Sequence, residues 1–199
     1  MSYEASTRLI GDMIVSSNLS KTINMHKNQR LNWLPSSGIG YLQSGSLSVY
    51  RIEDNLKIIT LYSPAIIGLP FLNSGVITDY YRSEELSLLN LVPKEVALSL
   101  LTTENLWDNA CYILSSHISD FYSRHVRLSE TDPAHIVLEC LKVINDLESI
   151  KRDSTSIYSF IMERYPLSRG TIYNVLNDLI KKKKIRMHRG RLVYLNDIT

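Results

Sequence analysis

The chain has 199 residues, 44% of them hydrophobic, and 22 Lys and Arg stand against 20 Asp and Glu for a formal net charge of +2. That length suits two small domains better than one large one, and the composition excludes a disordered, collagen-like or disulfide-stapled chain. No charged-then-apolar leader opens the sequence and no run of 18 apolar residues occurs in it, so a soluble, cytoplasmic protein with no membrane partner is expected.

Residues 3–19 carry Leu9, Ile10, Met13 and Ile14 at helical spacing and predict a short helix. The pattern then turns to short strands. Residues 38–51 alternate apolar with small or polar side chains on both sides of Gly45, which reads as a hairpin. Asp54-Asn55 is a turn, residues 56–61 are a β-run ended by Ser63-Pro64, and residues 84–91 form a last strand closed by Pro93. Several short strands at regular spacing predict a small antiparallel barrel. Nothing in this half forms a nucleophile–base pair, a paired-carboxylate site or a phosphate loop, so no catalytic residue is assigned and an enzyme is not expected. The five histidines have no ligand-spaced partners and two cysteines cannot hold an iron–sulfur cluster, so neither a metal nor a cofactor is expected.

In the middle of the chain Trp107, Ala110, Leu114, His117 and Phe121 step by three and four, the spacing of a two-helix seam. Cys111, Ile118, Tyr122 and His125 widen that stripe on one flank. Cys111 and Cys140 both fall in helical apolar patterns and are expected as reduced core thiols. A break follows at residues 128–131. Asp132-Pro133 is an N-cap followed by proline at the first helical position, and Ile136, Val137, Cys140, Val143, Ile144 and Leu147 give the next helix its apolar stripe.

The last stretch, residues 156–195, reads as two short helices with a break at Pro166, followed by a hairpin. In the second helix Ile172, Val175, Leu176, Leu179 and Ile180 form the stripe expected to be buried, and Ser168 occupies the N-cap position. The opposite face carries Arg169, Tyr173, Asn174, Asn177 and Lys181. Arg and Asn match guanine and adenine edges in a major groove. Two β-runs, residues 185–187 and 191–195, flank His188-Arg189-Gly190, where glycine permits the turn. Helix, turn, helix and hairpin together predict a winged helix-turn-helix. Residues 164–195 hold nine Lys and Arg against one acid, whereas residues 1–130 hold ten bases against twelve acids. Positive charge is therefore concentrated where phosphates would lie, and double-stranded DNA is the expected partner.

The order of barrel, long helix and winged helix resembles the cyclic-AMP receptor protein (CRP/FNR) family of bacterial transcription regulators. Residues 38–51 resemble that family's strand-glycine-strand segment, Pro64-Ala65-Ile66-Ile67-Gly68-Leu69 its approach to the nucleotide pocket, and Ser168-Arg169-Gly170-Thr171-Ile172 the start of its recognition helix. Asn105-Leu106-Trp107 and Gly190-Arg191-Leu192 resemble the enterobacterial IprA-like branch.

The resemblance implies an α+β chain in three parts. An N-terminal cyclic-nucleotide-binding-like β-barrel (β-roll) spans 1–102, a long dimerisation helix with its hinge 103–130, and a C-terminal winged helix-turn-helix 131–199. It also implies a homodimer on a palindromic operator, with RNA polymerase as a candidate further partner. Carried over by position, Arg169, Gly170 and Asn174 face base edges, while Ser168, Thr171, Lys181, Arg189 and Arg191 touch phosphates. Gly170 stands where the family has a glutamate.

The pocket departs from the family. Leu69 replaces the ribose-binding glutamate and Val76-Ile77 occupy the place of the phosphate-binding pair, with Arg82-Ser83 a weaker match. Gly68, Leu69, Val76 and Ile77 therefore mark a degenerate pocket without a counter-charge for a cyclic phosphate. The expected function is a sequence-specific transcription regulator that does not respond to cyclic nucleotides. Two alternatives stand beside it: a regulator whose barrel senses an apolar or uncharged ligand, and a winged-helix module that contacts protein.

Overall fold

The Ser2 hydroxyl accepts from the Ala5 N–H and starts α1 (Tyr3–Ser16). Ile10 and Ile14 on this helix are fully buried and Met13 nearly so, whereas Leu9 is half exposed and lies off the expected stripe. The computed structural model describes residues 2–32, 37–73, 78–128 and 132–196, with the backbone alone for 123–128. The chain divides into two units, Met1–Ser123 and Arg124–Thr199.

Seven strands follow α1: β1 (Lys21–Met25), β2 (Gly38–Ser44), β3 (Ser46–Arg51), β4 (Lys57–Tyr62), β5 (Ala65–Ile67), β6 (Asp79–Ser83) and β7 (Ser87–Pro93). They form a four-stranded sheet in the order β1-β7-β2-β5 and a three-stranded sheet in the order β4-β3-β6, with every pairing antiparallel. The hairpin expected across Gly45 does not occur. β2 pairs with β5 and β7, while β3 leaves for the other sheet, so Gly45 is the corner at which the chain changes sheets. Met25, Leu42, Leu47, Val49, Ile67, Tyr81, Leu89 and Leu91, drawn from both sheets, share one core. The last strand begins at Ser87, not at Glu84, because the hydroxyls of Ser83 and Ser87 both donate to the Glu85 carbonyl and hold a turn there.

α2 (Lys94–Thr103) continues directly from β7. Asn105 adopts a left-handed backbone, φ 54°, and breaks it from α3 (Trp107–Leu128). Asparagine tolerates this conformation better than most residues. A second core joins Ile10, Ile14, Leu69, Ala97, Leu101, Ala110 and Ile113 from α1, α2, α3 and the turn after β5.

The second unit contains α4 (Pro133–Asn145), α5 (Ser149–Ser154), α6 (Ile157–Met162), α7 (Arg169–Lys181), β8 (Ile185–His188) and β9 (Arg191–Leu195). The Asp132 carboxylate caps α4 by accepting from the Ala134 N–H at 3.0 Å. Val137, Cys140, Leu141, Ile144, Ile157, Ile161, Ile172, Leu176, Ile185 and Leu192 make its core. Val143 is half exposed and Leu141 is buried instead, so the α4 stripe lies one flank away from the expected one.

In the first unit α3 also buries polar groups against α1. The Asn109 amide donates to the Ser6 hydroxyl at 3.1 Å, and the Tyr3 hydroxyl is hydrogen-bonded to His117 Nε2 at 3.3 Å. Burial pulls the His117 pKa below its ordinary value, and Asp120 opposes this with a smaller pull upward. Below the ordinary value, near 6.5, the unfolded chain takes the proton more readily than the folded one. Stability from this site is thus complete above that pH and is lost as pH falls through it. Denaturant melts across this range should show the loss in the wild type and a flatter profile in His117→Gln; an unchanged profile in the variant would exclude His117 as its source.

Candidate nucleic-acid interface

The site is built from α6, α7 and the β8–β9 hairpin. The Ser156 hydroxyl caps α6 by accepting from the Ser159 N–H. At its far end the N–H groups of Arg164 and Tyr165 both reach the Ile161 carbonyl, and Pro166 prevents the helix from continuing. Ser168 then starts α7. Its hydroxyl oxygen accepts from the Thr171 N–H at 3.1 Å and is bonded to the Thr171 hydroxyl at 2.8 Å, so both side chains serve the cap.

Ile172 and Leu176 are buried in the unit's core, with Val175 and Leu179 packed against it. Ile180, expected on that stripe, is 40% exposed at its edge. The other side of α7 exposes Arg169, Gly170, Tyr173, Asn174 and Lys181; Thr171 and Asn177 are half-buried.

The hairpin has a two-residue turn. Arg189 (φ 49°) and Gly190 (φ 77°) are both left-handed, the geometry that matches the twist of paired strands. The turn brings His188 opposite Arg191, and Arg189 and Arg191 are exposed. The Gly190 carbonyl accepts from the Ile157 N–H at 2.9 Å, which ties the turn to the start of α6.

Of the nine basic residues in this stretch, two are held by a neighbour one helical turn away. Arg164 lies 3.6 Å from the Phe160 ring centroid and donates to the Phe160 carbonyl, and Lys182 pairs with Asp178 at 2.7 Å. Among the described residues Arg169, Lys181, Arg189 and Arg191 are exposed and make no ion pair, and the Arg169 guanidinium lies 5.2 Å from the Tyr158 ring centroid. Tyr158 escaped the sequence reading, because nothing in the local pattern of α6 indicates that its ring meets both α7 and the hairpin turn.

Of the residues assigned to the degenerate pocket, Gly68 and Leu69 face different surroundings. Gly68 has φ 88°, its N–H donates to the Tyr81 hydroxyl at 3.2 Å, and a Cβ there would stand 2.3 Å from the Gly38 carbonyl oxygen. Only glycine fits that position. Leu69 is buried in the core shared by α1, α2 and α3. Val76 and Ile77 lie outside the described residues. Arg82 neighbours Tyr81 on β6 and so takes the opposite face of the sheet, where its guanidinium stacks 4.0 Å from the Tyr50 ring centroid. It does not line the roll's interior.

The five seam residues are divided as well. Ala110 is 1% exposed in the unit's own core, Leu114 packs against that core and His117 is bonded to Tyr3. Ala110 is therefore enclosed within its own unit, and His117 is half-buried. Trp107 and Phe121 are exposed, and with Cys111, Ile118 and Tyr122 they form an apolar flank on α3. The expectation of a core thiol at Cys111 is corrected accordingly, while Cys140 is buried. The side chain of His125 lies outside the described residues; of the expected hinge at 128–131, Leu128 is the last residue of α3 and 129–131 lie outside the described residues.

A buried helix pair, an exposed polar helix face and a basic two-stranded hairpin define a winged helix-turn-helix, and residues 135–199 match the model of a family described as winged helix-turn-helix DNA binding. Over the whole chain the fold is that of CRP/FNR-type regulators. The c-di-GMP responsive global regulator CLP of Xanthomonas campestris superposes with a TM-score of 0.73 at 16% identity, over 98% of this chain and 100% of its own. A crp/fnr-family protein from Eubacterium rectale gives 0.71 at 15% identity, over 96% and 90%. A CRP/FNR-family transcriptional regulator from Thermus thermophilus gives 0.60 at 15%, over 88% and 94%. No curated protein matches the sequence. Among the described residues no helix is long and apolar enough to cross a membrane, and no group of three or more His, Cys, Asp or Glu is placed to hold a metal.

Gly170 sits in the first turn of α7, where a Cβ would meet only the Ser168 hydroxyl, at an ordinary 3.8 Å. Neither packing nor backbone conformation within this chain requires glycine there. Gly170→Ala should therefore stabilise the fold, by about 0.5–1 kcal/mol from helix propensity. A lower melting temperature for the variant would show that the glycine has a structural role.

Proposed function

We propose that this protein is a dimeric, sequence-specific DNA-binding transcription regulator of the CRP/FNR type, acting on a palindromic operator and not responsive to cyclic nucleotides. The observation that carries the reading is the α7 surface. Burial of Ile172 and Leu176 leaves Arg169, Tyr173 and Asn174 exposed together, beside the uncompensated charges of Lys181, Arg189 and Arg191. The burial of Leu69 in a core supports the lack of cyclic-nucleotide response, since it leaves no acid at the family's ribose-binding position. Asn105-Leu106-Trp107 and Gly190-Arg191-Leu192 support a place near the IprA-like branch. RNA polymerase is the partner such a regulator would meet at a promoter.

The basic residues divide by role. Arg169 and Asn174 read base edges, with the Gly170 backbone between them. Lys181, Arg189 and Arg191 contact phosphates, which position the protein without reading sequence. Ser168 and Thr171 hold the helix N-terminus whose N–H groups face the backbone of DNA.

Selection of bound DNA from a random pool by the purified protein tests this reading. Arg169→Ala should flatten the preference at one symmetric pair of base pairs, with a loss of about 1–3 kcal/mol of discrimination. Arg189→Ala should weaken all sequences alike and reduce the salt slope by roughly 1 per lost contact, or about 2 when both wings of a dimer touch DNA. A uniform loss in Arg169→Ala, with specificity intact, would refute the recognition face.

The dimer is assigned to the exposed flank of α3. Ile118, 53% exposed, and Tyr122, 64% exposed, are large apolar surfaces that a partner helix would cover. Ile118→Glu would place two carboxylates in an apolar seam, at a cost of several kcal/mol. Sedimentation should show a dimer for the wild type and a folded monomer with weakened operator binding for the variant. A monomeric wild type at micromolar concentration would overturn the assignment.

A further inference from the structure

We propose that Tyr158 on α6 is a positioning residue for DNA readout, holding the base-reading Arg169 over its ring beside the turn of the wing. The inference rests on the reading of α7 as the recognition helix. Two observations place this ring, and a third fixes the backbone beside it. The guanidinium carbon of Arg169 stands 5.2 Å from the centroid of the Tyr158 ring, within the range of a cation–π contact. A Cβ at Gly190 would lie 4.0 Å from Tyr158 Cδ2, so the ring lies beside the hairpin turn at about the distance a methyl group there would fill. The backbone beside the ring is fixed as well, because the Ile157 N–H donates to the Gly190 carbonyl at 2.9 Å.

Tyr158 is half-buried and packs against the unit's core, so its ring is a supported platform. Arg169, by contrast, is exposed, lies at the first position of α7 and has no ion pair among the described residues. A long exposed arginine samples many rotamers, and ordering it for a bidentate contact costs side-chain entropy. A ring against its guanidinium narrows that sampling before DNA arrives and leaves the N–H edge free for a guanine. The turn that carries Arg189 is tied to α6 separately, by the backbone bond between Ile157 and Gly190, so a change of the Tyr158 side chain leaves that anchor in place.

The test compares wild type, Tyr158→Leu, Tyr158→Phe and Arg169→Ala by selection from a random DNA pool and by competition at the base pair whose preference Arg169→Ala flattens. Tyr158→Leu removes the π face and should reduce discrimination at that base pair about two- to fivefold, the span of an exposed cation–π contact. The number of phosphate contacts, read from the salt slope, should be unchanged. Tyr158→Phe keeps the ring and should keep the discrimination. In an Arg169→Ala background Tyr158→Leu should add no further loss at that position.

A wild type that selects sequence, with Tyr158→Leu leaving the preference intact or weakening every sequence equally, overturns this inference and leaves the functional reading standing. A wild type that selects no sequence overturns both. Should Tyr158→Leu fail to fold, the free wild-type protein decides by NMR. Ring current from Tyr158 should shift the Arg169 side-chain protons upfield of those of Arg189, and coincident shifts would refute the contact.

Discussion

The burial of Ile172 and Leu176 is the constraint on which the functional half of this protein depends. A helix of this length has one face to give to a core. Once these two side chains are packed among Val137, Cys140, Ile157 and Ile161, the rotation of α7 about its axis is set. Arg169, Tyr173 and Asn174 are then exposed by consequence, with the Arg169 guanidinium over the Tyr158 ring. The Ser168 cap sets where the helix begins, and so which residues occupy its first turn.

Charge follows the same division. The basic residues of residues 164–195 would repel one another in a packed interior, and the structure leaves most of them at the surface. Arg164 is half-buried and Lys182 exposed, and each is engaged by a neighbour one helical turn away. The field offered to a polyanion therefore comes from α7 and the hairpin, with α6 serving as support. The left-handed pair Arg189 and Gly190 keeps the hairpin short, and a short hairpin keeps its charges close to strands that are anchored through Ile185 and Leu192.

In the first unit the governing event is the change of sheet at Gly45. Because β2 and β3 go to different sheets, their apolar side chains meet across a shared core instead of side by side. Tyr81 stands in that core and engages the Gly68 N–H, while Leu69 turns into the neighbouring helical core. A segment that in sequence resembles the approach to a nucleotide pocket thus contributes its side chains to packing. Helix α3 divides its faces on the same principle. Ala110 and Ile113 complete the core built by α1 and α2, and the apolar flank from Trp107 to Tyr122 remains outside.

The local devices of this protein are legible in the order of its residues. The 3.6-residue stripe of α7, the Ser168 and Asp132 caps, the stop at Pro166 and the turn at Gly190 each depend on residues within a few positions of one another. The concentration of basic residues at the C-terminal end is equally plain. Which strands pair, that Gly45 is a corner and not a hairpin, that β1, β6 and α2 exist, and which flank of α3 and of α4 is buried emerge from the folded chain alone. Those outcomes rest on partners far away in sequence: Leu89 beside Leu42, Tyr3 against His117, Tyr158 beneath Arg169. A side chain's own periodicity says that a face will be buried. What covers that face is set by the rest of the fold, and with it whether Ala110, Val143 or Ile180 ends inside or out.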